Sequence, residues 1–294
     1  MHILLTGGSG FIGTALAKAL IKRGDHVTML KHKRSSSVKG VVEVNQLESI
    51  DRPVDAVINL AGLPIADRPW TQTRKLALRA SREGITGQLV RWIAQQTQTP
   101  TTFISGSAIG FYGASRSDAI MTENSTPVAH DFSHQLCESW ESIALQACAS
   151  GTRVCTLRTG VVLGKGGALK KMLPAFKLGL GGKIVDGQQM MPWIHLEDEV
   201  AAIIYLLDHS EANGPFNLTA PNSVSNEQFT RSLGQTLNRP TWLPMPAFVP
   251  KLMLGKEGAS LLTEGLAVAP EKLIRLGFSF KYTKIDDALR QILS

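Results

Sequence analysis

A glycine-rich turn near the start of the chain, residues 6–13 (TGGSGFIG), most constrains the fold. The apolar run at residues 2–5 before it predicts a buried strand. The apolar spacing of residues 14–23 after it predicts a helix that ends at Gly24. A strand, a glycine turn and a helix in this order favour a dinucleotide site over an ordinary strand-to-helix turn, because N–H groups at the helix start would face a pyrophosphate.

Each glycine of this turn has a physical role in such a site. Gly7 permits the tight turn, Gly10 lets the backbone approach the pyrophosphate, and Gly13 lets the helix pack closely against the strand. The cofactor contacts predicted at the turn are Thr6, Gly7, Gly10, Phe11, Ile12 and Gly13.

The residues after the second predicted strand, 26–30, indicate which dinucleotide is bound. A site for NAD usually places an acidic residue there for the ribose 2′-hydroxyl, whereas a basic residue accommodates the 2′-phosphate of NADP. Here Lys31-His32-Lys33-Arg34 follows the strand without an acid. We therefore expect NADP(H) as the cofactor, with Lys31 and Arg34 as phosphate contacts; the alternative is a solvated basic loop.

Strands and helices alternate along the first half of the chain. Further strands are predicted at residues 41–44, 55–62, 102–107 and 153–158, and one helical segment, from about residues 73–80 on through 88–94, is predicted between the middle two. This alternation predicts an α/β fold with a doubly wound parallel sheet of the Rossmann type. The small strand tip Leu60-Ala61-Gly62 would leave room for the cofactor.

Composition excludes several classes of protein. The 294 residues are 43% hydrophobic and 19% charged, which suits a full core and excludes a disordered or coiled-coil chain. No apolar run reaches the roughly 18 residues of a membrane helix, and the chain opens directly into a strand, so we expect a cytoplasmic protein. The net charge of +7 is scattered, without a nucleic-acid motif. Three cysteines without CxxC spacing predict buried, reduced thiols and no metal site.

Five segments together resemble the extended short-chain dehydrogenase/reductase superfamily of NAD(P)-dependent epimerases and dehydratases. They are residues 6–13 (TGGSGFIG), 59–62 (NLAG), 105–113 (SGSAIGFYG), 193–198 (WIHLED) and 214–218 (GPFNL). Within the superfamily, three more segments are similar to the YfcH-type epimerase family, namely residues 61–67 (AGLPIAD), 158–163 (RTGVVL) and 172–174 (MLP). The resemblance covers nearly the full length of the chain.

The resemblance implies two parts. Residues 1–163 would form the dinucleotide-binding core, to which later segments at about 190–220 return, and residues 164–294 would form mainly a smaller C-terminal substrate-binding part. It also implies structural roles for His195 and Asp198. Further cofactor contacts expected beside those of the turn are Leu60, Ala61, Gly62, Ser105, Gly106, Gln135, Thr159, Gly160 and Val161.

The superfamily's Tyr-x-x-x-Lys pair, which manages the proton during hydride transfer, is missing. Tyr112, Tyr205 and Tyr282 are followed four residues later by Arg, His and Asp. Where the pair should fall, Asp131 and Gln135 are in register. Tyr112 and Ser107, just past the fifth strand, are our catalytic candidates, and Asp131 and His134 are alternatives for acid–base roles.

Two functions follow as expectations. The first is an NADP-binding, epimerase-like oxidoreductase that acts on a nucleotide-sugar or another small carbonyl or hydroxyl compound. The second is a non-catalytic or redox-sensing NADP-binding regulator, related to cell division, which the missing Tyr-x-x-x-Lys pair favours. We expect a small-molecule substrate, no nucleic acid or membrane partner, no metal, and a monomer or homodimer.

Overall fold

The computed structural model describes residues 1–31, 35–117 and 119–294. The strands in these residues are β1 (His2–Thr6), β2 (His26–Leu30), β3 (Val42–Val44), β4 (Ala56–Asn59), β5 (Thr102–Ala108), β6 (Ile120–Met121), β7 (Arg153–Thr159), β8 (Val161–Leu163), β9 (Met190–Met191), β10 (Trp193–His195), β11 (Gly214–Leu218), β12 (Val224–Ser225) and β13 (Ala267–Val268).

The helices of the same residues are α1 (Phe11–Arg23), α2 (Gln72–Arg79), α3 (Ile85–Ala94), α4 (Phe132–Leu145), α5 (Gly167–Lys177), α6 (Leu196–Asp208), α7 (Asn226–Leu237), α8 (Phe248–Gly258), α9 (Ser260–Thr263), α10 (Glu271–Arg275) and α11 (Ile285–Leu293). None of these described helices is long and apolar enough to cross a bilayer.

Seven parallel strands form the central sheet, in the order β3-β2-β1-β4-β5-β7-β11. The order reverses beside β1, because β2 and β3 lie on one side of it and β4 on the other. Ligands of doubly wound sheets bind at such a reversal, at the carboxyl ends of the strands. The Rossmann-type fold predicted from the sequence is confirmed.

Helices cover both faces of the sheet. Ile3 and Leu5 of β1 belong to the core formed with α1 and α6, whereas Leu4 between them belongs to the core formed with α3 and α4. This alternation places apolar side chains on both faces, which is why the strand reads as a continuous apolar run rather than an alternating one.

A further core, separate from the two that flank the central sheet, lies in the C-terminal half. It joins α5, α7 and α11 to the fully buried Trp193 of β10, whose indole Nε1 donates to Asn222 O at 3.0 Å. β11 joins the central sheet beside β7, and α6 packs on the same face as α1. The segment around residues 190–220 thus adds the strand β11 to the large sheet and packs the helix α6 on its face. The division into two parts between residues 163 and 164 stays a prediction.

Three local expectations differ from the structure. The fourth strand ends at Asn59 rather than residue 62, because the chain leaves the sheet there to pass the glycine turn. The helical segment at 73–94 is interrupted by a π turn at Ala80–Gly84. Cys148 is exposed, contrary to the expectation of three buried thiols, because it lies on the surface in the short 3₁₀ helix Gln146–Ser150 that follows α4.

A buried carboxylate ties the C-terminal segment to α6. The two oxygens of Asp198 accept hydrogen bonds from the backbone N–H groups of Lys281 and Tyr282, both at 2.9 Å. His195 caps the same helix, since its Nδ1 accepts from Glu197 N at 3.1 Å. These contacts give His195 and Asp198 the structural position that the resemblance implies.

We expect Asp198→Ala to lower the free energy of unfolding by about 3 kcal/mol, because one buried and one partly buried N–H group lose their acceptor. Urea denaturation measures the change. The control is Glu197→Ala, which removes an exposed ion pair with Lys281 and should change stability by about 1 kcal/mol or less. Equal losses in the two variants would contradict the role of Asp198.

Candidate functional site

The glycine turn between β1 and α1 has the geometry of a phosphate site. Gly7 adopts a φ of +71°, and Gly10 N donates to Gly7 O at 2.9 Å to close the turn. α1 begins at Phe11, and no side chain among the described residues caps its start. Its first-turn N–H groups are therefore available to an anion, which the positive end of the helix dipole also favours.

The turn is packed too tightly for any side chain at two positions. A Cβ on Gly7 would lie 2.4 Å from Leu60 O, at the tip of β4. A Cβ on Gly13 would lie 2.2 Å from Gly7 O. Both neighbours are backbone atoms, so glycine at these positions brings α1, the turn and the end of β4 into direct contact.

An open cleft of about 940 Å³ lies against this turn. It runs between the tips of β1, β2 and β4 and along the length of α3, and residues predicted from the sequence line it. These residues are Thr6, Gly7, Lys31, Ala61 and Gly62. Lining residues that sequence reasoning did not identify are Gly8, Ser9, Met29, Leu30, Asn45, Gln46, Leu47, Glu48, Leu63, Ala80, Ser81, Gly84, Ile85, Gln88, Arg91, Trp92 and Gln95.

Lys31 supplies positive charge at the β2 end of the cleft. Its Nζ is 3.7 Å from the carboxylate of Glu43, and both side chains are partly exposed, so the pairing is weak and leaves the ammonium accessible. Arg34, the second predicted phosphate contact, lies outside the described residues.

Asn59 joins the tip of β4 to the first strand and to the helices behind it. Its Oδ1 accepts from Thr6 Oγ1 at 2.6 Å, and its Nδ2 donates to Thr86 Oγ1 at 2.8 Å. Trp140 Nε1 donates to the same Thr86 hydroxyl at 2.9 Å. Asn59 is fully buried and was missed as a site residue; a lone Asn at the end of an apolar strand was its signal.

Ser105 and Gly106 lie inside β5, next to this junction. Ser105 is fully buried, and a Cβ on Gly106 would lie 2.8 Å from the ring of Trp140. Their predicted contact with a cofactor stays a prediction.

The two catalytic candidates belong to one buried polar network. Ser107 Oγ donates to Glu141 Oε1 at 2.6 Å, and Arg158 makes two hydrogen bonds of 2.9 Å to the same carboxylate. Arg158 Nη1 also donates to the hydroxyl of Tyr112 at 3.2 Å. The Tyr112 hydroxyl lies 2.7 Å from Asn217 Oδ1, so it has both a donor and an acceptor within the protein.

Tyr112 is completely buried, and burial raises the pKa of its phenol. The ring of the neighbouring Phe111 covers the Arg158 guanidinium, with 3.4 Å between the guanidinium carbon and the ring centroid. This enclosure favours a structural position for Tyr112, and catalysis by Tyr112 or Ser107 stays a prediction.

Asp131 and His134, the alternative acid–base candidates, are engaged at the start of α4. Asp131 caps the helix by accepting from His134 N at 2.9 Å, and its other oxygen accepts from Ala114 N at 2.7 Å. The His134 ring is buried, with Nδ1 2.6 Å from Phe111 O. Asp131 therefore holds the loop after Tyr112 to α4.

Arg79, at the end of α2, brings a positive charge close to Gln135, the residue in register with the missing lysine. Gln135, in register with that lysine, has its Oε1 3.4 Å from Nη2 of Arg79, the last residue of α2. Arg79 is also paired with Glu83 at 2.9 Å. Sequence reasoning missed Arg79, because its proximity to α4 arises only in the folded chain.

Arg82, in the π turn, is a second cation near the same place. Its guanidinium lies over the ring of Trp140, 5.3 Å from the centroid, and donates to Leu63 O at 3.0 Å. A Cβ on Gly62 would lie 3.2 Å from it. Burial lowers the pKa of Arg82, and no carboxylate is paired with it within residues 1–31, 35–117 and 119–294.

Thr159, Gly160 and Val161 connect β7 to β8 on the far side of the sheet reversal. Gly160 is confined by backbone, since a Cβ there would lie 2.7 Å from Pro192 O. Thr159 Oγ1 donates to Glu199 Oε1 at 3.0 Å, whereas Glu199 Oε2 is buried and has no partner in the described part of the chain. Burial raises the pKa of Glu199 to about 8.

No group of three or more metal-binding side chains occurs within the described ranges. The geometry thus offers a phosphate turn, an adjoining cleft with a basic end, and two arginines beside α4.

Comparisons with known proteins agree with this geometry. The profile of the NAD dependent epimerase/dehydratase family matches residues 3–219, and a domain of unknown function, DUF1731, matches residues 245–292. The chain is 38% identical to the chloroplastic homolog of epimerase family protein SDR39U1 from Arabidopsis thaliana, covering 100% of this chain and 87% of that protein. It is 36% identical to epimerase family protein YfhF of Bacillus subtilis, covering 100% and 98%.

A solved structure is similar over the whole chain. Human epimerase family protein SDR39U1, crystallised with NADPH, superposes with a TM-score of 0.92 at 34% identity, covering 99% of each chain.

We expect Gly13→Ala to weaken dinucleotide binding and to destabilise the fold, because the new methyl group meets backbone atoms of the turn that cannot move independently. Calorimetric titration with NADPH and thermal unfolding measure both effects. Gly87→Ala is the control: it lies inside α3, where the Cβ makes only ordinary contacts, and should be neutral or stabilising by up to about 1 kcal/mol. Unchanged NADPH affinity in Gly13→Ala would contradict the assignment of the turn.

We expect Glu199 to make stability fall as pH rises from about 4.5 to about 8. Its carboxyl is neutral in the fold up to a pKa of about 8 but ionises near its ordinary value of 4.5 when unfolded, so folding binds a proton in that range. Glu199→Gln should remove this dependence and gain on the order of a few kcal/mol over the wild type at pH 8.

Urea denaturation across the pH range tests this, with Glu138→Gln, an exposed position on α4, as the control. Parallel pH profiles of the wild type and Glu199→Gln would disprove the role of Glu199.

Proposed function

We propose a function from one premise: the chain belongs to the NAD dependent epimerase/dehydratase family. It binds NADP(H) in the cleft beside the glycine turn and acts as an epimerase-like oxidoreductase on a small carbonyl or hydroxyl compound, with nucleotide-sugars as one candidate class. The observation that carries the proposal is the glycine turn before α1, which lines a cleft of about 940 Å³ and leads into a helix start that no described side chain caps.

The residues present fit the cofactor. The first-turn N–H groups of α1 would hold the pyrophosphate, and the glycine turn lines the cleft beside them. Lys31 would pair with the 2′-phosphate, and the NADPH bound to human SDR39U1 supports the same choice of dinucleotide. When bound, the nicotinamide donates or accepts the hydride.

The protein's part in the reaction is to orient the substrate and to manage one proton. Arg79 lies beside Gln135 and Arg82 over Trp140 of the same helix α4, where they would hold the negative or hydroxyl-bearing end of a ligand. Ser107 and Tyr112 remain our candidates for the proton; Glu141 accepts from Ser107, and Arg158 donates to the Tyr112 hydroxyl, so the network fixes the position of both hydroxyls.

A regulator that binds NADP(H) without turnover is the second candidate. The enclosure of the Tyr112 hydroxyl by Arg158 and Asn217 favours it, because a proton donor has to reach the substrate. A cytoplasmic location and a monomeric or homodimeric state are part of both proposals.

Lys31→Ala should raise the Kd for NADPH by about tenfold or more and leave that for NADH nearly unchanged, because only NADPH carries the 2′-phosphate. Calorimetric titration with both dinucleotides gives the two constants. Lys22→Ala, which removes an exposed positive charge at the opposite end of α1, is the matched control. Failure of the wild type to bind NADPH would refute both candidate functions.

Turnover separates the two candidates. The enzyme should oxidise NADPH, transferring one stereospecific hydride, with at least one member of a panel of nucleotide-sugars and small carbonyl compounds. NADPH-dependent stabilisation with no turnover across that panel would instead establish the regulator.

A further inference from the structure

An apolar surface of the C-terminal half is turned outward and lies apart from the cleft. We call it the apolar ridge; its members are Leu178, Leu180, Trp242, Leu243, Phe248, Leu252 and Met253. Trp242 is 87% exposed and Leu252 is 79% exposed. Side chains of this size are rarely left in water together unless they serve an interaction.

The backbone holds the first four members of the ridge side by side. Residues 178–185 run alongside residues 239–246, with bridges from Gly182 to Trp242 and from Ile184 to Met245. Gly182 makes the approach possible, because a Cβ there would lie 1.7 Å from Leu243 O. The exposed apolar side chains are therefore displayed by a fixed loop pair.

Helix α8 continues the ridge. Phe248 and Leu252 are four residues apart and share one face of the helix, which points to solvent. The opposite face of α8 packs against the rest of the protein: Pro250 and Leu254 are buried, and Leu254 O accepts a hydrogen bond from Trp70 N at 2.8 Å. The outward apolar face is thus additional to what α8 needs for packing.

The charges around the ridge are positive. Lys177, Lys251 and Lys256 are exposed, and none of them forms an ion pair within the described residues. The carboxylates nearest along these segments are neutralised by bases: Asp186 by Arg116, Glu227 by Lys183, and Glu257 by Lys75.

We propose that the apolar ridge docks this protein on the surface of an anionic lipid bilayer. Trp, Phe and Leu side chains would enter the interface between headgroups and acyl chains, while the three lysines would contact anionic headgroups. A second copy fits less well, because a symmetric contact would bring two sets of three unpaired lysines into one interface. Surface docking needs no spanning helix, and the expectation of no membrane partner stays a prediction that the same experiment tests.

Co-sedimentation with vesicles tests the proposal. The full chain should bind vesicles of phosphatidylcholine mixed with phosphatidylserine and not vesicles of phosphatidylcholine alone, and added salt should weaken the binding. Leu252→Glu should lower the partition coefficient about tenfold or more, and Lys251→Gln about fivefold. Ile120→Glu, which changes a 62% exposed apolar residue outside the ridge, should bind like the wild type.

Thermal unfolding with each variant shows whether it is folded, and Lys256→Gln serves as a second charge variant. No binding of the wild type to phosphatidylserine vesicles would overturn the proposal. A second result would also overturn it: the wild type does not bind vesicles but self-associates as its concentration rises, and Leu252→Glu abolishes that self-association. The ridge would then join two copies of the chain. The NADPH affinity of the wild type and of each variant is measured in parallel. This affinity tests the proposed function and does not test the docking of the ridge on vesicles.

Discussion

Direct backbone contact between the glycine turn and the tip of β4 fixes the start of α1 and one wall of the cleft at the carboxyl edge of the sheet. Gly7 lies against Leu60 O and Gly13 lies against Gly7 O, so the start of α1 has little freedom relative to β4. Asn59 adds hydrogen bonds to Thr6 and Thr86 just behind this contact. The cleft is the space left open beside these fixed backbones, which explains how a largely apolar core supports a rigid polar site.

A second rigid element lies across β5, β7 and α4. Glu141 accepts from both Ser107 and Arg158, and the pair is buried beneath Phe111. Buried ion pairs contribute little net stability, but removal of one partner leaves an uncompensated charge. The network therefore stabilises this arrangement of β5, β7 and α4 against arrangements that would separate Glu141 from Arg158.

The sequence predicted those parts of the site that are encoded locally. The glycine spacing, the apolar strands and Lys31 all lie within short stretches whose local structure determines their role, and five predicted residues line the cleft. Arg79 and Arg82 could not be found this way, because α2 and α4 are separated by more than fifty residues and meet only through tertiary packing. The burial of Tyr112 was equally hidden, since its partner Asn217 lies 105 residues further along the chain, on the edge strand β11.

The π turn at Ala80–Gly84 has a consequence for how this chain can vary in length. It separates Leu78, which packs with Trp70, from Leu89 and Ile93, which pack on the sheet. One residue added or removed in the turn would rotate α2 about its axis by roughly 100° relative to α3, since each helical residue advances by that angle. Leu78 and Arg79 would then both leave their partners. Segment 80–84 should consequently accept changes of side chain more readily than changes of length, unlike an ordinary surface loop of the same size.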